Sequence, residues 1–207
     1  PHAQVPEQLG ALLMDSGPCM QKLFQLVGKD VKRPEFAATM SALQNEIKPF
    51  GFDEFRSSIE TRTGKKLEEL FKSIDPKPLA AASVGQVHRA ELQDGTVVAV
   101  KVRRPGLEAK AEREIAGLLQ AARQDPMALE LLTRVSRTVT EEMDFRNEAK
   151  NIELGLRYVH PDRGISIAQR IDTFSPAEDM LVSRLAPGAK ISKFDPSDLH
   201  QLQLRTQ

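Results

Sequence analysis

The chain has 207 residues, and its 29 Lys and Arg residues balance its 29 Asp and Glu residues, so the formal net charge is zero. Hydrophobic residues make up 40% of the chain and charged residues 28%, which is the composition of a globular protein with a real core. The balanced charge and the 5% aromatic content argue against a nucleic-acid partner.

No apolar run approaches the ~20 residues of a membrane span, and the first ten residues are polar. We therefore expect neither a transmembrane segment nor a signal peptide in this chain, and a location in the cytoplasm or at the periphery of a membrane. Cys19 is the single cysteine, which excludes an internal disulfide and fits a reducing compartment. A buried small hydrophobe is expected at that position.

Residues 1–75 have the apolar spacing of helices. Pro18 opens a helix in which Met20 and Val27 share a face, and Gly64 is expected to cap the end of a later helix. Asp75-Pro76-Lys77-Pro78 then marks the change to strand periodicity, which predicts a helical extension over residues 1–75 and a second domain over residues 76–207. The predicted helices of the extension are 7–15, 18–30, 34–49 and 53–62, with a short amphipathic stretch at 67–71.

The second region is predicted to contain three strands, then helices, then two strands, which is an α+β order. The stretch 78–106 carries the first three strands, with Asp94-Gly95 as a tight turn and a β-branched run at 97–102. Asp144 is the expected N-cap of a helix that begins at Phe145. The other predicted helices are 107–124 and one starting at Pro126, and the last two strands are 165–171 and 180–185.

Lys101 lies inside the β-branched run VAVKV and admits two interpretations. Its stem could lie along the sheet while its ammonium reaches water. Alternatively, a strand fixes a point charge well enough to bind nucleotide phosphates. The second interpretation gains from a small-residue turn between the preceding strands, whose amides could approach phosphate. That turn comprises Ala80, Ala81, Ala82, Ser83, Val84, Gly85 and Gln86.

The sequence PLAAASVGQVHRA, followed by DGTVVAVKVRRPG, resembles the UbiB/AarF family of atypical protein-kinase-like proteins. The resemblance implies a kinase-like N-lobe, with a five-stranded antiparallel sheet and helices, after an all-helical extension. It further implies that Lys101 is catalytic, that Glu148 orients it, and that the Ala-rich turn covers ATP or ADP with Mg²⁺. The implied activity is ATP hydrolysis or an unusual kinase reaction that supports isoprenoid quinone biosynthesis.

Two more blocks carry the resemblance. The stretch EEMDFRNEAKN matches a family motif through Glu142, Asp144 and Glu148, and the resemblance implies that Glu142 and Asp144 also belong to the catalytic site. A solvated acidic helix face would look similar. The family's Lys-x-Gly-Gln motif is matched by Lys22 and Gln25, but Phe24 replaces its glycine. Lys22 and Gln25 are therefore either nucleotide-site residues or plain surface residues.

Two stretches only imitate kinase motifs, and other motifs of the family do not occur in this sequence. His160-Pro161-Asp162 imitates a catalytic loop but lacks the required Asn, and Asp144-Phe145-Arg146 imitates the metal-binding Asp-Phe-Gly too early in the chain. The hinge stretch 182–188 is atypical, and no catalytic base or metal-binding Asp follows it in this sequence. We therefore expect no metal ligands here and no complete catalytic site.

Two functions remain open on this basis. The chain is either the ATP-binding part of a UbiB-like enzyme that meets a C-lobe, or a non-catalytic pseudokinase-like module that binds nucleotide or protein. Expected partners are a nucleotide, a separate C-lobe or a second copy of the chain, and peripheral-membrane or quinone-biosynthesis proteins. An N-lobe without its C-lobe is expected to self-associate through an exposed apolar face.

Overall fold

The computed structural model describes residues 16–28, 48–159 and 167–186. Within them the chain forms six helices and five strands. The helices are α1 Pro18–Gly28, α2 Phe52–Thr63, α3 Leu67–Leu70, α4 Leu107–Ala122, α5 Pro126–Met143 and α6 Phe145–Tyr158. The strands are β1 Ser73–Ile74, β2 Ala80–Ala81, β3 Gly85–Glu91, β4 Val97–Arg103 and β5 Met180–Arg184.

The helix ends follow the local sequence signals. Gly64 ends α2 in the left-handed conformation with φ of 68°, which a residue without Cβ adopts at low cost. Asp125 and Asp144 cap α5 and α6, because each side chain accepts hydrogen bonds from amides in the first turn of its helix. The predicted cap at Gly64 and the predicted helix starts at Pro126 and Phe145 are therefore confirmed. The predicted helices at 7–15 and 34–49 lie outside the described residues.

The five strands form one antiparallel sheet in the order β1-β3-β4-β5, and β2 pairs with β3 at one end. In the central ladder, Val87 of β3 lies opposite Lys101 of β4, and Leu181 of β5 lies opposite Lys101 on the other side. This register places Lys101 in the middle of the sheet and fixes which residues share its face. A mixed fold with a five-stranded antiparallel sheet was the expected fold class.

The strand predicted at 165–171 does not form over those of its residues that the structure describes. Of its described part, residues 167–171, only Arg170 pairs with β5, as an isolated bridge to Ser183. The reason is local: Asp172 and Thr173 turn the chain directly afterwards. The sheet still has five strands, because β1 at residues 73–74 lies before the predicted strands and pairs with β3. β2 also has two residues, but it lies in the stretch 78–106 where a strand was predicted.

The sheet has two different faces because side chains alternate along each strand. On one face, Val98 and Val100 pack against Phe55 and Ile59 of α2 in the largest apolar core cluster. On the other face, Leu181 packs against Phe145 and Ala149 of α6. A third cluster lies where α1 packs on α4 and α5, and it contains Cys19, Leu107, Ala111, Val135, Val139 and Met143.

The first strand begins before the domain boundary predicted between residues 75 and 76. That boundary falls between β1 and β2, and α2 contributes to the same core as the sheet. The domain division itself stays a prediction. No helix of the described residues is long and apolar enough to cross a membrane.

Candidate functional site

The α6 face of the sheet carries an ion pair at its centre. Lys101 Nζ donates to Glu148 Oε2, and the same ammonium lies 4.4 Å from the centroid of the Phe145 ring. Phe145 and Glu148 are three residues apart on α6, so helical geometry presents both toward the lysine. The pairing of Lys101 with Glu148 that the resemblance implied is present in the structure.

This ion pair is accessible to a ligand. The Lys101 side chain is 30% exposed and that of Glu148 is 45% exposed, so neither charge is sealed in the core. Carboxylate and ring together restrict the ammonium to one position, and the strand restricts its stem. Val87 and Ala99 share the face of Lys101 and are half-buried. The arrangement can therefore present a fixed positive charge beside a small apolar floor.

The Ala-rich turn leads from β2 into the first residues of β3. The Ala82 amide donates to the carbonyl of Gly85 at 2.8 Å, and the tip residue Ser83 is half-buried. The alanines need no unusual backbone, since the positive φ angles of the described chain all belong to glycines elsewhere. Gly85 is needed for a different reason: a Cβ there would lie 2.4 Å from the Val102 carbonyl oxygen.

Gln86, which was predicted to belong to the nucleotide turn, points away from Lys101. Its side chain is 1% exposed, exchanges hydrogen bonds with the backbone of Phe50, and lies 2.9 Å from the His88 ring. The physical reason is strand alternation, which places residues 86 and 88 on the α2 face and residue 87 on the Lys101 face. Only the backbone of Gln86 can therefore contribute to the turn.

Glu142 and Lys22 form a second ion pair, between the last turn of α5 and α1. The Lys22 side chain is only 21% exposed, so it does not behave as a freely solvated surface lysine. The pair joins the predicted extension to the stretch that carries Glu142 and Asp144. The side chains of Phe24 and Gln25 lie outside the described residues, and the role predicted for Gln25 stays a prediction.

Asp144 is engaged at the start of α6. Its carboxylate accepts from the Arg146 backbone and forms a two-point ion pair with the Arg146 guanidinium. This hydrogen bonding to Arg146 lowers the pKa of Asp144, so the carboxylate is anionic at neutral pH. In this geometry Asp144 caps a helix and is not directed at Lys101.

Glu114 is a residue that the sequence reasoning missed. Its two carboxylate oxygens accept from the backbone amides of Cys19 and Met20, at 2.9 and 3.0 Å. Gly17 permits this contact, because a Cβ there would lie 2.1 Å from Glu114 Oε2. Glu114 is separated from α1 by about ninety positions in the sequence. Only the folded structure shows that it holds the helix that carries Lys22.

A family model for the ABC1 atypical kinase-like domain matches residues 42–206. The chain belongs to this family. An Arabidopsis thaliana relative named "Uncharacterized aarF domain-containing protein kinase" of the chloroplast is 34% identical, with 95% of this chain and 30% of that protein covered. A "Probable protein kinase UbiB" of Cellvibrio japonicus is 33% identical, with 70% and 28% covered.

The chain spans less than a third of the length of these two curated relatives. Its fold is similar to that of a solved structure, Rv3197 of Mycobacterium tuberculosis in complex with erythromycin. The TM-score is 0.55 at 18% identity, with 92% of this chain and 50% of that chain covered. At that identity the likeness concerns the fold alone.

The described part of the ABC1 domain does not by itself fit a Mg²⁺ ion. Among its residues there is no group of three His, Cys, Asp or Glu side chains that could hold a metal. Glu142, Asp144 and Glu148 are each paired with a cation. Oxygen ligands for Mg²⁺ normally include free carboxylates and substrate phosphates, so these three carboxylates alone do not make a Mg²⁺ site.

Proposed function

We propose that this ABC1 chain is the nucleotide-binding part of a UbiB-like atypical kinase or ATPase, and that it binds ATP or ADP on the Lys101 face of the sheet. The observation that carries the proposal is the accessible Lys101–Glu148 ion pair, held against Phe145 at the centre of that face. A lysine oriented by a helix carboxylate is the device by which kinase-like proteins position nucleotide phosphates.

The neighbouring residues have matching roles in this proposal. Val87 and Ala99 offer small apolar contacts on which a flat base can lie, next to the ammonium that meets the phosphates. The Ala-rich turn lies at the end of the same strand as Val87, and its backbone amides are the donors for phosphate oxygens. The Lys22–Glu142 pair connects α1 to the last turn of α5, directly before the helix that carries Glu148.

The cellular process that this activity would serve is isoprenoid quinone biosynthesis, as the UbiB/AarF resemblance implies. Quinone content in cells whose native gene encodes Lys101→Ala checks this part separately from nucleotide binding. A C-lobe, a second copy of the chain, and peripheral-membrane or quinone-biosynthesis proteins are the proposed partners. Light scattering at high protein concentration tests the expected self-association, and a strictly monomeric chain would contradict it.

The binding proposal is tested by nucleotide-induced stabilisation of the 207-residue chain. At a hundredfold excess of ligand over Kd, one bound ATP should stabilise the fold by about 2.7 kcal/mol. Lys101→Ala should abolish most of that increase, because the phosphates lose their fixed counter-charge. Lys72→Ala is the matched control, since Lys72 also pairs with a glutamate but lies 59% exposed at the sheet edge.

The outcomes separate the two functions left open by the sequence. Loss of stabilisation in Lys101→Ala alone supports ATP binding on this face. Equal stabilisation of Lys101→Ala and the wild-type chain would contradict the role of Lys101. A wild-type chain that gains no stability from ATP or ADP, with or without Mg²⁺, would favour the non-catalytic protein-binding module.

A further inference from the structure

Arg104 contacts both sides of the tip of the Ala-rich turn. Its Nε donates to the Ala82 carbonyl at 3.0 Å, and its backbone amide donates to the Val84 carbonyl at 2.9 Å. These two carbonyls flank Ser83, the residue at the tip. Arg104, which directly follows β4, therefore fixes two peptide groups at the tip, the one that joins Ala82 to Ser83 and the one that joins Val84 to Gly85.

The orientation of these carbonyls determines where the amides point. A trans peptide group is planar, and its C=O and N–H point in opposite directions. Because the Ala82 carbonyl points at Arg104, the amide of Ser83 in the same peptide group points away from it. Arg104 extends the alternation of Val98, Val100 and Val102, which face α2, whereas Lys101 faces α6. The Ser83 amide is thus directed away from the α2 side.

Arg104 is itself anchored on the α2 side. Its second guanidinium nitrogen donates to the Lys48 carbonyl at 2.7 Å, and its guanidinium lies 5.7 Å from the centroid of the Phe50 ring. Phe50 packs against the core under the sheet and exchanges hydrogen bonds with Gln86. The tip of the turn is therefore connected through Arg104 to the core.

The Arg104 guanidinium interacts with backbone carbonyl groups and not with a carboxylate of the described residues. Burial lowers the pKa of its guanidinium, and among residues 16–28, 48–159 and 167–186 no carboxylate forms an ion pair with it. Nε and a terminal nitrogen bind two carbonyls that lie 34 positions apart in the sequence, Lys48 and Ala82. Only a guanidinium has donors in a rigid fork of this kind, so lysine could make just one of the two bonds.

We propose that Arg104 is the positioning residue of the Ala-rich turn, and that it holds the Ser83 amide toward the phosphates of a bound nucleotide. The identity of the ligand rests on the proposed function, whereas the orientation of the turn by Arg104 rests on the hydrogen bonds described above. In this proposal a backbone amide binds the phosphate, and Arg104 holds its peptide group from the α2 side of the sheet. The turn has alanines and does not depend on flexible glycines. Arg104 itself touches no phosphate.

The first experiment compares phosphate-dependent with base-dependent binding. Kd values for ATP and for adenosine are measured with the wild-type chain, Arg104→Lys and the control Arg56→Lys. Arg56 also binds oxygen acceptors and lies 6.0 Å from a phenylalanine ring, but it is on α2. We expect Arg104→Lys to weaken ATP binding about tenfold and leave adenosine binding unchanged, because one hydrogen bond of the fork is lost. An equal loss for ATP and adenosine would overturn the proposal.

The second experiment needs no ligand. Amide hydrogen exchange of residues 79–86 is measured in the three proteins without nucleotide. We expect Arg104→Lys to accelerate exchange of Leu79 and Ala82, whose amides are bonded to β3, without changing exchange in β4 or α5. Unchanged exchange at the turn would overturn the proposal. Faster exchange in a chain that binds no ATP would contradict the proposed function and leave the positioning role of Arg104 intact.

Discussion

A chain of hydrogen bonds runs through buried polar groups on the α2 side of the sheet. His88 is fully buried, its Nδ1 lies 2.7 Å from the Asp75 carbonyl oxygen, and its Nε2 lies 2.9 Å from Gln86 Nε2. Because a carbonyl can only accept, Nδ1 carries the proton and Nε2 accepts from the Gln86 amide. This network requires a neutral imidazole. Burial lowers the pKa of His88 below its ordinary value of 6.5, and the bond to Asp75 opposes this only in part.

His88 should make the protein less stable as pH falls. The unfolded chain takes up a proton at this residue before the folded chain does, so stability is lost as pH drops through about 6.5. The loss approaches ~1.4 kcal/mol for each pH unit by which the pKa is lowered. Urea unfolding of the wild type and His88→Gln at about pH 7.5 and about pH 5.5 measures this effect.

We expect the wild type to lose more stability than His88→Gln between those two pH values, so the cost of the substitution shrinks in acid. Carboxylates with lowered pKa values, such as Asp144 and Glu60, contribute equally to both proteins and cancel in the comparison. If His88→Gln lowers the free energy of unfolding by the same amount at both pH values, the pKa of His88 does not differ between the folded and unfolded chain, which would contradict this prediction.

Individual residues differ in how far their sequence context predicts them. Lys101 could be found from the run VAVKV, because a lysine in a β-branched strand is chemically unusual. Gln86 was misplaced because sequence neighbours in a strand point to opposite faces, and only the register with β4 shows which face is which. Arg104 and Glu114 act on residues far away in the sequence, so no local pattern indicated their roles.

At the scale of elements, α1 is held on the α4–α5 pair by a helix cap that another helix supplies. Glu114 of α4 accepts from two first-turn amides of α1, which otherwise lack helical partners. A carboxylate is also favoured at this position by the helix dipole. The Lys22–Glu142 pair lies further along the same helix. Both contacts would be weakened together if α1 moved away.

Glu114→Ala should therefore release α1, and Cys19 reports the release. Cys19 is fully buried against α4 and α5, and burial, followed by the charge of Glu114, raises the pKa of its thiol to about 11. Each lost hydrogen bond to a carboxylate costs about 1.5–3 kcal/mol. We expect at least tenfold faster labelling of this single cysteine by a thiol reagent in the variant.

The control is Glu112→Ala, which removes an exposed carboxylate from the same helix. Its labelling rate should equal that of the wild type. Equal, slow labelling of Glu114→Ala would mean that apolar contacts of α1 are sufficient without the cap. Labelling must be followed without denaturant, since any global unfolding exposes Cys19 in all three proteins.

Elements with strong local signals were predictable, and those that depend on pairing were not. The limits of α2, α5 and α6 follow from Gly64, Asp125 and Asp144, which act within their own helices. The strands β1 and β2 have two residues each, too few for periodicity to be seen, and exist because β3 offers them partners. The strand expected at 165–171 had the apolar pattern but met β5 at one bridge.

For the molecule as a whole, one face of the sheet is covered by apolar side chains, and the other face carries an accessible ion pair. On the covered face, α2 and α3 bury large apolar side chains against β3, β4 and β5. On the other face, α6 covers Leu181 but leaves Lys101 and Glu148 accessible. The sequence predicts a helix packed on the sheet, and it predicts that α2 belongs to a separate extension because the prolines at 76 and 78 are typical of a domain linker. In the structure, α2 shares a core cluster with the sheet, and the domain division stays a prediction.

Truncation decides whether residues 48–75 belong to the sheet domain. Phe55, Ile59, Leu67 and Phe71 are at most 2% exposed and lie in one cluster with Val98 and Val100. Burial of four such side chains contributes together about 6–12 kcal/mol, comparable with the ~5–15 kcal/mol stability of a whole domain. A chain of residues 48–207 should therefore unfold cooperatively in urea, whereas residues 76–207 should show no cooperative transition. Cooperative unfolding of 76–207 at a similar midpoint would place the domain boundary at residue 75, and the contacts of α2 would then be an interface between two independently stable parts.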